Sequence, residues 1–507
     1  MRDPLSSLLL VKNHNRLQQI DYFRRHPEEV QLKTLRDLLK QASATEWGRR
    51  YSYAASGSYE TFHASVPLQT YEMAQPWIER ARSGEKDILW PGNTVWFARS
   101  SGTTNDKSKF IPVTTKALTH NHFRGAEDIL ALYLDQNSQS RLFSGKTMTL
   151  GGSHKIDADH SGSHYGDLSA IMIQNLKDWA GYFRTPSKEI ALIPEWEKKL
   201  EAICKSVLKE RVTAFAGVPS WNLNLMKHLL AHTGKSSISE IWPEMELFIH
   251  GGVSFEPYRA QYQKLFPVAG MHYMETYNAS EGFFALQDDL SSRDMLLMLD
   301  IGVFYEFIPI DQVDRENPEV LPLWGVKPGE NYAIVISTNS GLWRYFLGDT
   351  VVFSSVSPYK LRITGRTKHH INVFGEELMI DNAERGLQEA CKATGAVISE
   401  YTAGPVFMDE KSNGAHEWLI EFETEPSSLE EFTRILDAAL CELNSDYEAK
   451  REKSITLRMP IVRSLPKGTF YSWMNRRGKL GGQNKVPRLS NHRTYLDAIL
   501  AEANVEP

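Results

Sequence analysis

Apolar positions recur at helical spacing through residues 1–90. Leu17, Ile20 and Phe23, then Leu32, Leu35, Leu38 and Leu39, fall on single faces with charged residues between them, which predicts several amphipathic helices whose task is packing. The pattern changes at residues 94–98, an apolar run that reads as a strand and empties into Ser100, Ser101, Gly102, Thr103 and Thr104. Beyond that loop Thr114 stands where it can cap a helix whose stripe is Leu118, His122, Ala126, Ile129, Leu130, Tyr133 and Leu134. A histidine on such a stripe reads as a core residue rather than a ligand.

Two further apolar runs, 212–216 and 245–249, end in Gly217-Val218-Pro219-Ser220 and His250-Gly251-Gly252, and helical patterns follow at 221–230 and 257–265. Strand, glycine turn and helix in repetition predict open α/β sheets, with ligands gathering beyond the carboxyl ends of the strands. From about 296 to 365 the texture is β, with runs at 303–310, 332–338 and 342–347, the last two joined by the Asn339-Ser340-Gly341 turn. A small barrel-like unit is expected there. After Gly365-Arg366-Thr367-Lys368 the pattern becomes α+β. It predicts a helix at 381–393 boxed by Asp381 and Glu384, a strand at 397–408, a turn at Ser412-Asn413-Gly414 and a strand at 417–423. A helix at 428–443 boxed by Ser428 and Glu431, a strand at 456–463 and a glycine- and lysine-rich tail at 466–488 complete it. The fold class is therefore α/β: an N-terminal domain, 1–365, of open sheets with the β-rich subdomain, and a smaller C-terminal α+β domain, 366–507.

A chain of 507 residues exceeds one ordinary core, and 41% hydrophobic with 24% charged residues is a globular composition. The net charge of −6 gives no basic field for nucleic acid or an anionic membrane. Cys204, Cys391 and Cys441 are odd in number and widely spaced, which disfavours a disulfide framework or a zinc cluster and fits a cytoplasmic chain. Leu8-Leu9-Leu10-Val11 is too short for a signal-peptide core, and no apolar run approaches the ~20 residues that span a bilayer.

Chemistry enters at the loop from Ser100 to Thr104. Four hydroxyls and successive N–H groups around a flexible glycine can converge on phosphate oxygens, with Lys107 or Lys109 adding a point charge. The loop is not a Walker A motif, because the second glycine and the Lys-Ser/Thr pair are missing. His154, His160 and His164 match no established zinc spacing, and their loop is expected on the substrate side. Tyr277-Asn278-Ala279-Ser280-Glu281-Gly282 sets an aromatic that can stack on a base four residues before a carboxylate that can hold a divalent cation. Tyr345-Phe346-Leu347-Gly348-Asp349 places an acceptor-only carboxylate after an expected tight turn, suited to both hydroxyls of a ribose. Gly482-Gln483-Asn484-Lys485-Val486-Pro487-Arg488 offers a lysine on a glycine-flanked loop of the second domain.

In this order the four motifs resemble the adenylate-forming (ANL-type, luciferase-like) superfamily. Within it they are similar to the acyl-acid amido synthetases of the auxin- and jasmonate-conjugating type, and most to their bacterial branch. The resemblance implies that ATP and Mg²⁺ are used, that Ser100, Ser101, Gly102, Thr103, Thr104 and Lys109 hold phosphate, and that Gly251, Gly252 and Tyr277 flank the adenine. It implies that Glu281 holds Mg²⁺, that Ser280 beside it belongs to the nucleotide site, that Asp349 takes the ribose, that Arg366 and Lys368, at the hinge, also bind the nucleotide, and that Lys485 is the adenylation lysine. Plant members carry an arginine where this chain has Phe346, so any role of that arginine is vacant here or passes to Arg344 or Arg366. The implied reaction joins a small carboxylic acid to an amino acid through an acyl-adenylate, carried out by a monomer. An acyl-CoA ligase sharing the first step, or a non-catalytic nucleotide-binding module, are the alternatives.

Overall fold

The computed structural model describes residues 3–100, 109–150, 157–158, 162–193, 196–252, 255–267, 270–313, 315–367, 370–371, 376, 378–407, 414–444, 447–448, 451, 457–478 and 485–503. Among these, one sheet of 12 strands organises the larger part of the chain. Arg184–Thr185, Lys146–Thr149, Val212–Gly217, Leu247–Gly251 and His272–Ala279 lie side by side and parallel. Their apolar runs are continuous because helices cover the sheet, as buried parallel strands require. Helices Pro219–Thr233 and Glu256–Leu265 pack there through a stack in which the rings of Phe215 and Phe248 lie 4.1 Å apart, with Tyr262 and Phe266 beside them.

At Ser280-Glu281 the sheet changes character. This two-residue loop turns His272–Ala279 into the antiparallel Gly282–Gln287, and every later pairing in the sheet is antiparallel: Met295–Leu297, Tyr359–Arg366, Tyr345–Val356, Asn331–Thr338, Val303–Pro309 and Leu321–Pro322. The β-rich segment expected as a small barrel is thus continuous with the parallel strands. Period-2 patterning identifies strands but not their neighbours, which is why one sheet was not distinguishable from two.

Local expectations hold where the signal is local. Ile20, Phe23, Leu35, Leu38 and Leu39 of the N-terminal helices are buried together in the main core. Thr114 caps its helix by accepting from Ala117 N–H at 3.0 Å. That helix is not regular: Thr115–Ala117 passes through a π-helical turn, Leu118–His122, before Phe123–Gln136. Asn121 holds the turn by donating to the carbonyls of Phe283 and Ile301 and accepting from Phe283 N–H at 2.7 Å. The strand expected from residue 342 starts at Tyr345, because Leu342 and Trp343 turn into the core and Arg344 takes φ +43°.

The C-terminal unit has its own core and a three-stranded sheet, Val397–Val406 antiparallel to Ala415–Thr424, which runs parallel to Ile461–Leu465. Its first helix, Ile380–Thr394, is capped differently from expectation: Met379 is the N-cap and Asn382 accepts its N–H, so Asp381 lies inside the first turn. Ser428 caps Leu429–Leu443 as expected, but the Glu431 side chain turns to Arg434 and does not close a box. The expected turn at Ser412-Asn413 lies outside the described residues. No helix among the described residues is long and apolar enough to cross a membrane.

Candidate functional site

The end of the parallel strands and the start of the antiparallel ones meet around two buried carboxylates, Glu281 and Asp349, and the partly exposed Arg366. Asp349 and Arg366 are directly opposed in the antiparallel pair Tyr345–Val356 and Tyr359–Arg366. That register brings Arg366 Nε to Asp349 Oδ1 at 2.5 Å, while Tyr277 Oη donates to Oδ2 at 2.6 Å. Gly348 makes room for the arrangement at φ +83°, and its carbonyl accepts from Thr367 N–H at 2.8 Å. Asp349 therefore stands inside a strand, not after a tight turn as expected. Its oxygens each keep acceptor capacity beyond the contacts already made.

Tyr277 differs from its expected role as an open stacking face. Its ring is 4% exposed, packs edge-on against Phe284 at 5.0 Å, and its hydroxyl is committed to Asp349. Burial, and then the charge of Asp349, push the phenol well above its ordinary pKa, so it stays a donor. Four residues on, Glu281 occupies the two-residue loop and is 7% exposed. Burial raises its carboxyl pKa, and Arg366 is the main opposing influence. Arg366 is already paired with Asp349, so a divalent cation is the natural complement to Glu281. Mg²⁺ is commonly held by one or two carboxylates plus substrate phosphates and water, and Glu281 fits that donor set. Ser280 beside it is buried.

Lys109 opens the second strand of a hairpin in which it faces Ser100, the last residue of Trp96–Ser100. Its ammonium lies over the Tyr71 ring at 5.2 Å, and Tyr71 Oη accepts from Phe110 N–H at 2.9 Å. Its charge acts on Glu281. Between those two strands, Ser101, Gly102, Thr103 and Thr104 lie outside the described residues, as does Lys368. Of the histidine loop, His154 and His160 are likewise outside; His164 is on the strand beside Trp96. His122 is in the core as expected, touching Asn278 through Nδ1 at 3.3 Å, with burial pushing its pKa down to about 4.

Gly251 and Gly252 close strand Leu247–Gly251 from above. A Cβ on Gly251 would lie 2.4 Å from Thr276 O, so only glycine allows the two strands to approach, and Gly252 turns the chain at φ +82°. Here the C-terminal unit enters: Lys485 Nζ donates to Gly252 O. Lys485 is open to solvent as a whole, yet loss of water around the ammonium and then the like charge of Arg366 push its pKa down to about 8. Asp349 works in the opposite direction. The lysine does not ride on an unattached loop. Thr402 Oγ1 donates to Pro487 O at 2.5 Å, and Ala403 and Arg488–Ser490 exchange backbone bonds at 2.8 and 3.0 Å.

Arg344 is buried away from this group, bound to Glu306 at 2.9 Å and to the carbonyls of His63 and Val66, whereas Arg366 is in it. Tyr258, which receives Arg488 at 3.1 Å, carried no sequence signal beyond its place in an apolar pattern. Asp349 and Arg366, drawn from a different stretch, thus stand within electrostatic reach of both Glu281 and Lys485.

Three family models match the chain in succession: the GH3 family N-terminal domain over residues 16–271, the GH3 family central domain over 296–366 and the GH3 family C-terminal domain over 381–494. The chain is 23% identical to indole-3-acetic acid-amido synthetase GH3.3 of Arabidopsis thaliana, covering 98% of this chain and 95% of that protein. It is 24% identical to jasmonoyl–L-amino acid synthetase JAR6 of Nicotiana attenuata, covering 91% and 90%. Its fold matches AtGH3.15 acyl acid amido synthetase in complex with 2,4-DB at a TM-score of 0.80 and 18% identity, over 96% of this chain and 95% of that one. It also matches 2-hydroxyisobutyryl-CoA ligase in the postadenylation state at a TM-score of 0.62 and 12% identity, over 95% and 94%.

Proposed function

This chain belongs to the GH3 family, and on that premise we propose that it is an ATP-dependent acyl-acid amido synthetase. It activates a carboxylic acid as the acyl-adenylate and passes the acyl group to the amine of an amino acid. The observation that carries the reading is the convergence of Asp349, Arg366, Glu281 and Lys485 from separate parts of the chain, the lysine contributed by the C-terminal unit.

In the first step a carboxylate oxygen attacks the α-phosphorus of ATP, a P–O bond forms, and the bond to pyrophosphate breaks. Two anions meet, so positioning and charge neutralisation matter more than proton transfer. Asp349, oriented by Tyr277 and Arg366, accepts from the ribose hydroxyls. Ser100 to Thr104 and Lys109 cradle phosphate, and Gly251-Gly252 leave space for the adenine. Glu281 would hold Mg²⁺, which supplies neutralisation of phosphate charge. Lys485 leaves Gly252 O for the oxygens on which charge develops in the transition state. In the second step the amine attacks the acyl carbon, AMP departs with the C–O electron pair, and the amine gives up its proton.

Residues 1–365 and 366–507 act in this reading as two bodies hinged about Arg366 to Lys368, the second withdrawing to admit the amine. The enzyme is a cytoplasmic monomer of the family's bacterial branch. The three cysteines are widely spaced, and Phe346 departs from the plant pattern. A panel of carboxylic acids screened for pyrophosphate release, repeated with amino acids and with coenzyme A, tests the assignment. An amide with an amino acid is expected; a thioester without an amide would replace it with the ligase reading.

A further inference from the structure

The C-terminal unit touches the large unit at more than Lys485. Arg488 lies three residues on, and its guanidinium is held by its own unit on three sides. It stacks over the Tyr401 ring at 4.6 Å, donates to Tyr401 O at 3.1 Å and pairs with Glu400. Its Nη2 crosses to Tyr258 Oη at 3.1 Å. Tyr258 belongs to helix Glu256–Leu265, which follows closely on Gly252, and is 3% exposed. One short stretch of the large unit therefore receives both Lys485 and Arg488. One turn further along the same helix Gln261 Nε2 reaches Ile398 O at 3.4 Å, and Lys227 pairs with Glu423 at 3.0 Å at the edge of the seam.

The inventory of this seam is unequal. Lys227 and Glu423 are both more than a third exposed, where ion pairs contribute little. The Gln261 contact is long. Arg488 is different, because a guanidinium rigidly held by stacking and by two partners presents one remaining fork arm in a fixed direction, and a buried hydroxyl meets it. Val486 and Leu489, on either side, are buried in the C-terminal cores, so Lys485 and Arg488 move with that unit as one piece.

We propose that Tyr258 is a positioning residue: its hydroxyl, by receiving Arg488, docks the C-terminal unit in the orientation that carries Lys485 to Gly252. The inference rests on the adenylating role given to Lys485 above. Breaking this one hydrogen bond frees the unit for its second orientation, so the contact biases which half-reaction the enzyme is set for.

Tyr258→Phe removes the hydroxyl and keeps the ring in the hydrophobic core that holds it. With wild-type melting behaviour, it should slow acyl-adenylate formation about tenfold, the effect of losing a hydrogen bond to a charged group. Amide formation from presynthesised acyl-adenylate should remain at the wild-type rate. Small-angle scattering of the ligand-free protein should show a larger radius of gyration for the variant. If Tyr258→Phe fails to fold, Arg488→Lys, which keeps the charge and loses the fork, must show the same split and the same expansion. Unchanged adenylation, or equal losses in both half-reactions, would overturn the proposal. A wild-type protein that adenylates no acid would sink the synthetase reading instead, and scattering then decides the docking role alone: expansion upholds it and an unchanged radius overturns it.

Discussion

Asp349 is held by two donors of different kinds, and this pairing governs what its substitution does. The Arg366 guanidinium and the Tyr277 phenol both face it, while Lys485 stands near enough for Arg366 to repel it. Asp349→Asn keeps the shape but replaces one acceptor oxygen with a donor NH2 and leaves Arg366 without its counter-charge. ATP affinity should fall by about tenfold or more, as expected when hydrogen bonds to a charged group are lost. Isothermal titration checks this, and an unchanged affinity in a folded variant would remove Asp349 from the nucleotide site. Glu275, two residues before Tyr277, gives a pH signature. Burial, then the charges of Glu256 and Glu384, raise its pKa to about 7, with Arg259 and Arg293 opposing. The folded chain thus binds this proton more tightly than an unfolded chain with the ordinary value of 4.5. Its contribution to stability is complete below that ordinary value and is lost as the pH rises through about 7, an upper bound of about 3 kcal/mol. Glu275→Gln should therefore flatten the fall in melting temperature between about pH 5 and pH 8. Parallel curves for the two proteins would show that Glu275 is not shifted.

Elements were legible where their cause is local and illegible where it is not. The helix beginning at Thr115 announces itself by its cap and stripe, yet its π-helical turn does not, because the turn depends on Asn121 reaching carbonyls 162 and 180 residues away. Asn121→Ala would remove all three of these hydrogen bonds from the core. We expect a loss of about 3 kcal/mol, from at least two buried groups at 1–3 kcal/mol each. Denaturant titration measures it, and a loss under about 1 kcal/mol would mean that the turn is held by packing alone. The cap of Ile380–Thr394 shows the same limit at close range. Asp381 and Glu384 have the box spacing, but the helix starts one residue earlier and Asn382 satisfies Met379. The glycines tell a mixed story: Gly252 is a turn as its neighbours suggested, whereas Gly348 lies within a bulged strand.

At the scale of the molecule, the four motifs and their order were enough to anticipate the family. The joining of parallel and antiparallel strands into one sheet was not, since strand neighbours follow from chain reversal at Ser280-Glu281 and not from periodicity. Nor was the seam between the units. Arg488 and Tyr258 are 230 residues apart, and neither carries a local sign of the other. In the proposed function the seam delivers Lys485 to the edge of the nucleotide site. The direct test is the Lys485→Ala variant in the two half-reactions separately. The account predicts that acyl-adenylate formation slows by roughly 10²–10³-fold, as for loss of one preorganised transition-state donor, while transfer from presynthesised acyl-adenylate to an amine proceeds at near wild-type rate. Equal loss in both steps, or none in the first, would contradict it.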